Sequence, residues 1–212
     1  MSNHPPKRLR FLPSHCPPPT VSVGRVDDGE VEGLAREVEL GAAGAAADGT
    51  VGEDHDPESH LIPRVLQVAL RQADRVTIFG NDYPTRDGTC VRDYIHVEDL
   101  ASIHRLALER QEAGRFEAYN VGTGVGVSVL EVVEAARRVT GHDIPAQVAP
   151  RRPGDPPELV AQATAIRSRF DWQPKYTDIG RTMETAWNWH RSRPAGYGER
   201  SSRVHETNSG RG

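Results

Sequence analysis

Two cysteines in 212 residues, Cys16 and Cys90, leave no material for a disulfide framework or a cysteine-built zinc site. Lysine is equally scarce: only Lys7 and Lys175 stand among 26 basic residues. Richness in Arg, Ala, Gly and Pro of this kind reflects a GC-rich genome, not a binding function. Long apolar runs are missing too. They reach only a few residues, as at Val65 and Leu66, so no segment is expected to span a bilayer. The amino terminus carries Lys7, Arg8 and Arg10 with no apolar stretch behind them, which argues against a secretory signal and makes the cytoplasm the expected compartment. Basic excess is absent: 26 Lys+Arg against 30 Asp+Glu give −4, so neither nucleic acid nor a membrane surface is an expected partner. The apolar share of 36%, with 20 Gly, sits at the low edge of the globular range and predicts a core that occupies part of the chain.

The first forty residues carry prolines at 5, 6, 13, 17, 18 and 19 and neither helical nor strand periodicity, and are expected to be disordered or foreign to the rest. Residues 195–212 are polar and Gly/Ser/Arg-rich, and read as a disordered tail. Between these limits lies the expected domain, 41–194. Leu61, Val65, Leu66, Val68, Ala69 and Leu70 form one helical face, followed by a strand at Val76–Phe79 and a turn-rich loop over 80–93. A short strand at 94–96 enters a helix to about Arg110, with Leu100, Ile103, Ala107 and Leu108 on its buried side. A strand over 116–121 follows. Ser128-Val-Leu-Glu131 is a capping box opening a helix that Gly141 stops. Beyond it the pattern predicts a strand at Ala146–Ala149, an extended piece at 159–161, and helices over 164–170 and 178–191. Alternating strands and helices predict an α/β or α+β domain.

Chemistry-bearing motifs are few. Gly122-Thr-Gly124-Val-Gly126 follows a strand and precedes a helix, but Val127 stands where a dinucleotide-binding turn needs its third glycine, so a structural turn is favoured. Gly41-Ala-Ala-Gly44-Ala-Ala-Ala47 leads into an acidic loop without a helix to present free amides. Glu53-Asp54-His55-Asp56 is contiguous and reads as a solvated loop. Cys90 reads as a small packed residue rather than a reactive thiol. Two loops are suited to anions: Arg92 in the 80–93 segment, and Arg151-Arg152-Pro-Gly-Asp155, where Asp155 can hold sugar hydroxyls. The alternative is a surface on which such residues pair with each other, Arg92 with Asp93 or a nearby carboxylate.

The segments GEDHDPESHLIP, TIFGNDYPTRDGTCVRDYIHVEDLA, YNVGTGVGVSVLEVV and APRRPGDPPELVA together resemble the carboxy-terminal half of the UDP-glucose 4-epimerases, extended short-chain dehydrogenase/reductases, from about Gly41 to Pro194. The resemblance implies the small mixed α/β substrate-binding domain of that family, without its amino-terminal Rossmann domain. In the family the Rossmann half holds NAD, a Tyr of a Tyr-x-x-x-Lys motif deprotonates the sugar 4-hydroxyl, and the enzymes are commonly homodimers that interconvert UDP-glucose and UDP-galactose in galactose metabolism. Here Asp87, Glu98, Thr123, Gly180 and Ser201 stand four positions after Tyr83, Tyr94, Tyr119, Tyr176 and Tyr197, and none is Lys. The family's Gly-rich NAD turn also has no counterpart, and Leu40-Gly41 replace its usual Phe-Asn. The expectation is therefore a truncated, inactive fragment that does not bind NAD by itself. Alternatives are a non-catalytic UDP-sugar-binding module, a decayed fragment, or a relative acting on another UDP-sugar. By position, the resemblance implies substrate contacts at His60 and Leu61, a uracil-packing strand at Thr77, Ile78 and Phe79, a diphosphate clamp at Arg92, and nucleotide and ribose contacts at Arg152 and Asp155. Leu159 stands where the family can have Tyr, at a position bearing on sugar size.

Overall fold

The computed structural model describes residues 20–23, 41–110 and 117–198. In chain order the elements are β1 (Thr20–Val23), β2 (Gly41–Ala43), α1 (Leu61–Ala69), β3 (Val76–Phe79), β4 (Val91–His96), α2 (Val97–Arg110), β5 (Glu117–Asn120) and β6 (Gly126–Ser128). The remainder are α3 (Val129–Thr140), β7 (Ala146–Ala149), β8 (Glu158–Leu159), α4 (Thr164–Phe170) and α5 (Ile179–Ser192). The architecture is mixed α/β, as the sequence predicts. None of the described helices is long and apolar enough to cross a membrane.

β4 organises the molecule. Its first half pairs antiparallel with β6 and parallel with β8; its second half pairs parallel with β2, Gly41 lying opposite Tyr94. The pairings with β6 and β8 explain why the strand begins at Val91 and not at 94, where local sequence places it. β2 is another departure, since a Gly-Ala-Ala stretch has no strand signature of its own and is extended because β4 pairs with it. β3 pairs parallel with β7, and β1 pairs antiparallel with β5. Within 1–40, then, Thr20–Val23 form a strand, and the rest of that expected disordered or foreign segment lies outside the described residues. Of the expected tail, 199–212 lies outside them too. Tyr197 is tied back: its hydroxyl donates to the Gly52 carbonyl at 3.0 Å and its ring meets Trp189 at 4.7 Å between centroids.

Two apolar clusters flank β4. Ile62, Val65, Leu66 and Val68 of α1 pack with Val132, Val133 and Ala136 of α3 and Met183 and Trp187 of α5, and Tyr94 leans on this set. On the other side Ile95 joins Ile103 and Ala107 of α2, Ile166 and Phe170 of α4, and Trp172. Alternation along β4 sends neighbouring side chains into different cores. One expected core residue is not there: Leu108 is 67% exposed. Leu100, Ile103 and Ala107 form the inward stripe of α2, and one further residue turns about 100° around the helix, out to solvent.

Local signals are obeyed where they are strong. Ser128 Oγ accepts from the Glu131 N–H at 3.1 Å and Glu131 Oε2 accepts from the Ser128 N–H at 2.8 Å, which completes the capping box. Gly141 closes α3 at φ +70°, a left-handed turn that glycine makes without strain.

Candidate functional site

Strand alternation builds the site. Cys90, Arg92 and Tyr94 are spaced i, i+2, i+4 along the approach to and first half of β4, and Thr77 and Phe79 share one face of β3. These two rows line one cavity of about 270 Å³, together with Gly41 to Ala43 of β2, Ser59 to Pro63 at the start of α1, Val129, Arg152 and Asp155. Seven of the eight expected site residues meet there: His60, Leu61, Thr77, Phe79, Arg92, Arg152 and Asp155. The eighth, Ile78, does not line it. Ile78 lies between Thr77 and Phe79, so its side chain points to the opposite face of β3, where it is buried. Of the three expected residues on this strand, Thr77 and Phe79 thus line the cavity.

The wall carries concentrated positive charge. Arg92 is held in place by its own neighbourhood: Nη1 donates to the Val91 carbonyl at 2.8 Å and the Pro156 carbonyl at 2.9 Å, and Nη2 lies 3.6 Å from Asp155 Oδ1. Arg152 Nε lies 3.3 Å from Asp155 Oδ2, and its guanidinium sits over the Phe79 ring, 4.5 Å from the centroid. Asp155 thus bridges two guanidiniums that both line the cavity. The first turn of α1 adds main-chain N–H groups at Leu61 and Ile62 and the positive end of its dipole. Neighbouring Arg151 turns the other way, donating from Nε to Asp82 Oδ1 at 2.7 Å and lying 4.1 Å from the Tyr83 ring centroid. That contact pins the 151–155 loop to the loop after β3.

Of the pairings left open by the sequence, Arg92 with Asp93 does not form, whereas a nearby carboxylate, Asp155, does lie beside Arg92. Asp93 points to the other face of β4 and is 1% exposed. Its Oδ1 accepts from Thr123 N at 3.0 Å, and its Oδ2 from Gly124 N at 2.9 Å and Ala161 N at 3.3 Å. Thr123 Oγ1 adds a fourth bond at 2.5 Å. This decides the fate of the Gly122–Gly126 pattern. Its Thr123 and Gly124 amides, which a bound dinucleotide would need, already serve Asp93, and a Cβ at Gly122 would fall 2.5 Å from the Ala161 Cβ. Gly41 and Ala42 are paired in β2, and the chain after Ala47 turns rather than entering a helix. Neither glycine-rich stretch fits an NAD pyrophosphate.

Sequence reasoning did not place Tyr94 or Cys90 beside Arg92, although their even spacing from it was the available signal. Burial holds the Tyr94 phenol well above its ordinary range, outweighing the opposing effect of Arg92, so it faces the cavity as a neutral hydroxyl. Cys90 is buried, as a packed small residue should be, yet also borders the cavity. Beside the cavity, the 53–60 loop gathers Glu53, His55, Glu58 and His60, an arrangement that the expectation of a solvated acidic loop did not foresee.

Comparison with known proteins places this geometry. Residues 34–122 match the NAD dependent epimerase/dehydratase family. A UDP-glucose 4-epimerase of Halalkalibacterium halodurans is 55% identical over 157 residues, covering 74% of this chain and 47% of the relative. A crystal structure of a UDP-glucose 4-epimerase superposes with a TM-score of 0.70 at 51% identity, over 74% of this chain and 48% of that one. The Bifidobacterium longum UDP-glucose 4-epimerase, solved in complex with NAD+ and UDP, gives 0.69 at 37% identity, over 74% and 47%. The chain spans about half the length of the relatives it matches. By sequence and by fold together, the chain is similar over that half to the UDP-glucose 4-epimerases, and its residues 34–122 to the NAD dependent epimerase/dehydratase family.

Proposed function

We propose that this chain is the UDP-sugar-holding part of a UDP-glucose 4-epimerase, serving the interconversion of UDP-glucose and UDP-galactose in cytoplasmic galactose metabolism. The observation that carries the reading is the convergence of Arg92 and Arg152, bridged by Asp155, with the β3 face of Thr77 and Phe79 and the first turn of α1 in one cavity. Two guanidinium forks and a helix N-terminus suit a diphosphate, and Phe79 offers an aromatic face for a flat base. At about 270 Å³ the cavity lies just under typical small-molecule sites, which begin near about 300 Å³, and accommodates part of a nucleotide sugar.

No Tyr in the 212 residues is followed four positions later by Lys, and neither glycine-rich stretch fits NAD. On this reading the chain by itself binds UDP-sugar without epimerising it. Calorimetric titration with UDP, beside a coupled epimerase assay with added NAD, tests both halves. Saturable UDP binding without turnover is expected. Failure of the folded chain to bind UDP removes the binding reading, and turnover above background removes the claim of inactivity.

A further inference from the structure

Residues 53–60 read Glu-Asp-His-Asp-Pro-Glu-Ser-His, two Glu-x-His pairs separated by Asp56-Pro57. Residues i and i+2 of an extended segment share a face. The bend at Asp56-Pro57 folds one pair onto the other, so Glu53, His55, Glu58 and His60 each bring a donor atom within 4.8 Å of all the others. His60 Nδ1 is the centre. It lies 2.8 Å from Glu53 Oε1, 3.0 Å from Glu58 Oε1 and 3.4 Å from His55 Nδ1. A ring nitrogen carries at most one hydrogen. One hydrogen must therefore serve two carboxylate oxygens, or none is present and lone pairs face each other.

We propose that Glu53, His55, Glu58 and His60 form a binding site for a divalent transition ion of the zinc class. A cation replaces the lone-pair contacts with coordinate bonds. The two imidazoles separate this set from an ordinary acidic cluster, and a mix of two nitrogens and two carboxylates suits zinc-type ions, whereas calcium and magnesium favour shells of six or more oxygens. A tetrahedral ion with bonds of about 2.0–2.1 Å holds its donors about 3.3 Å apart. The separations of 2.8, 3.0 and 3.4 Å around His60 lie close to that value. Outer contacts fix the ligands before any ion arrives: Glu58 Oε1 accepts from the His60 N–H at 2.7 Å, and the Glu53 carbonyl accepts from Trp189 Nε1 at 2.9 Å. The loop is thereby fastened to α5. This site does not depend on the nucleotide reading, though His60 borders both.

The test is calorimetric titration of the metal-stripped 212-residue chain with Zn²⁺, without nucleotide, alongside Co²⁺ monitored by visible absorption. One Zn²⁺ per chain and the intense bands of four- or five-coordinate Co²⁺ are expected, with Mg²⁺ and Ca²⁺ failing to compete. His55→Ala should weaken Zn²⁺ binding by about tenfold or more. His55 is exposed, so this variant should keep the parent's circular dichroism and metal-free melting temperature. Glu58→Gln should weaken binding similarly, and His104→Ala, on α2, should not. Absence of stoichiometric binding, or binding unchanged in His55→Ala, overturns the proposal.

Discussion

Arg92 and Asp93 are neighbours in sequence but serve opposite faces of β4, one lining the cavity and the other buried behind it. Arg92 reaches its place through two carbonyls and Asp155, a geometry that needs a planar fork. Lys offers one ammonium in place of that fork. If Arg92 clamps a diphosphate, Arg92→Lys should weaken UDP binding by about tenfold and Arg92→Ala further, since a charge-assisted contact contributes about 1.5–3 kcal/mol. Equal affinities for parent and variants in calorimetry would show the clamp to be misplaced. Asp93 is a structural residue. Four donors from the 122–124 turn and Ala161 converge on its carboxylate, and Asn would aim an N–H₂ at some of them. Asp93→Asn is expected to cost about 3 kcal/mol, from unsatisfied buried donors, read as a lower urea midpoint.

At the scale of the element, the end of β4 and the start of α2 meet at a neutral histidine. His96 Nδ1 accepts from the Glu98 N–H at 3.1 Å, which leaves its Nε2 hydrogen to serve Thr185 Oγ1 at 2.9 Å. The ring stacks on Tyr176 with 3.7 Å between centroids. Burial holds its pKa below the ordinary histidine value, against the opposing pull of Glu98 and Asp99. A folded-state pKa below the unfolded one means the unfolded chain binds more protons between the two. Stability is therefore full above about pH 6.5 and falls as pH drops towards the lower folded value. Urea midpoints should decline from about pH 7.5 to about pH 5.5, before the carboxylates titrate. His190, also held low by burial, shares the window, so His96→Asn should flatten the decline without abolishing it. A midpoint constant over this range would refute the assignment.

For the whole molecule, the two cores share β4 while the β3–β7 pair stands at one side. Among the described residues β7 pairs only with β3, and Val148 and Phe79 are exposed on that pair. An open edge with apolar side chains invites pairing with another chain. The 212-residue chain should self-associate as concentration rises, and Val148→Lys should suppress this without lowering the melting temperature. Light scattering across a concentration series checks it; a concentration-independent monomer would contradict the argument.

The sequence alone determined what is local. The ends of α3 follow from Ser128, Glu131 and Gly141, because a capping box and a left-handed stop are made within one helical turn. The helical stripe of α1 and the strand at Val76–Phe79 are set by period. Motif resemblance also named eight site residues, of which seven line the cavity, since these carry chemistry in recognisable order. Tertiary structure decided the rest. β2 is a strand and β4 begins at Val91 because distant segments supply their hydrogen bonds, which no window of sequence contains. Strand alternation sends Ile78 to the face of β3 opposite Thr77 and Phe79, where it is buried. Whether Arg92 would pair with Asp93 or face a ligand, and whether Glu53 and His55 would meet Glu58 and His60, depended on the faces of a strand and the fold of a loop. Those outcomes are fixed by contacts between residues far apart along the chain or across a bend, not by the residues' own propensities.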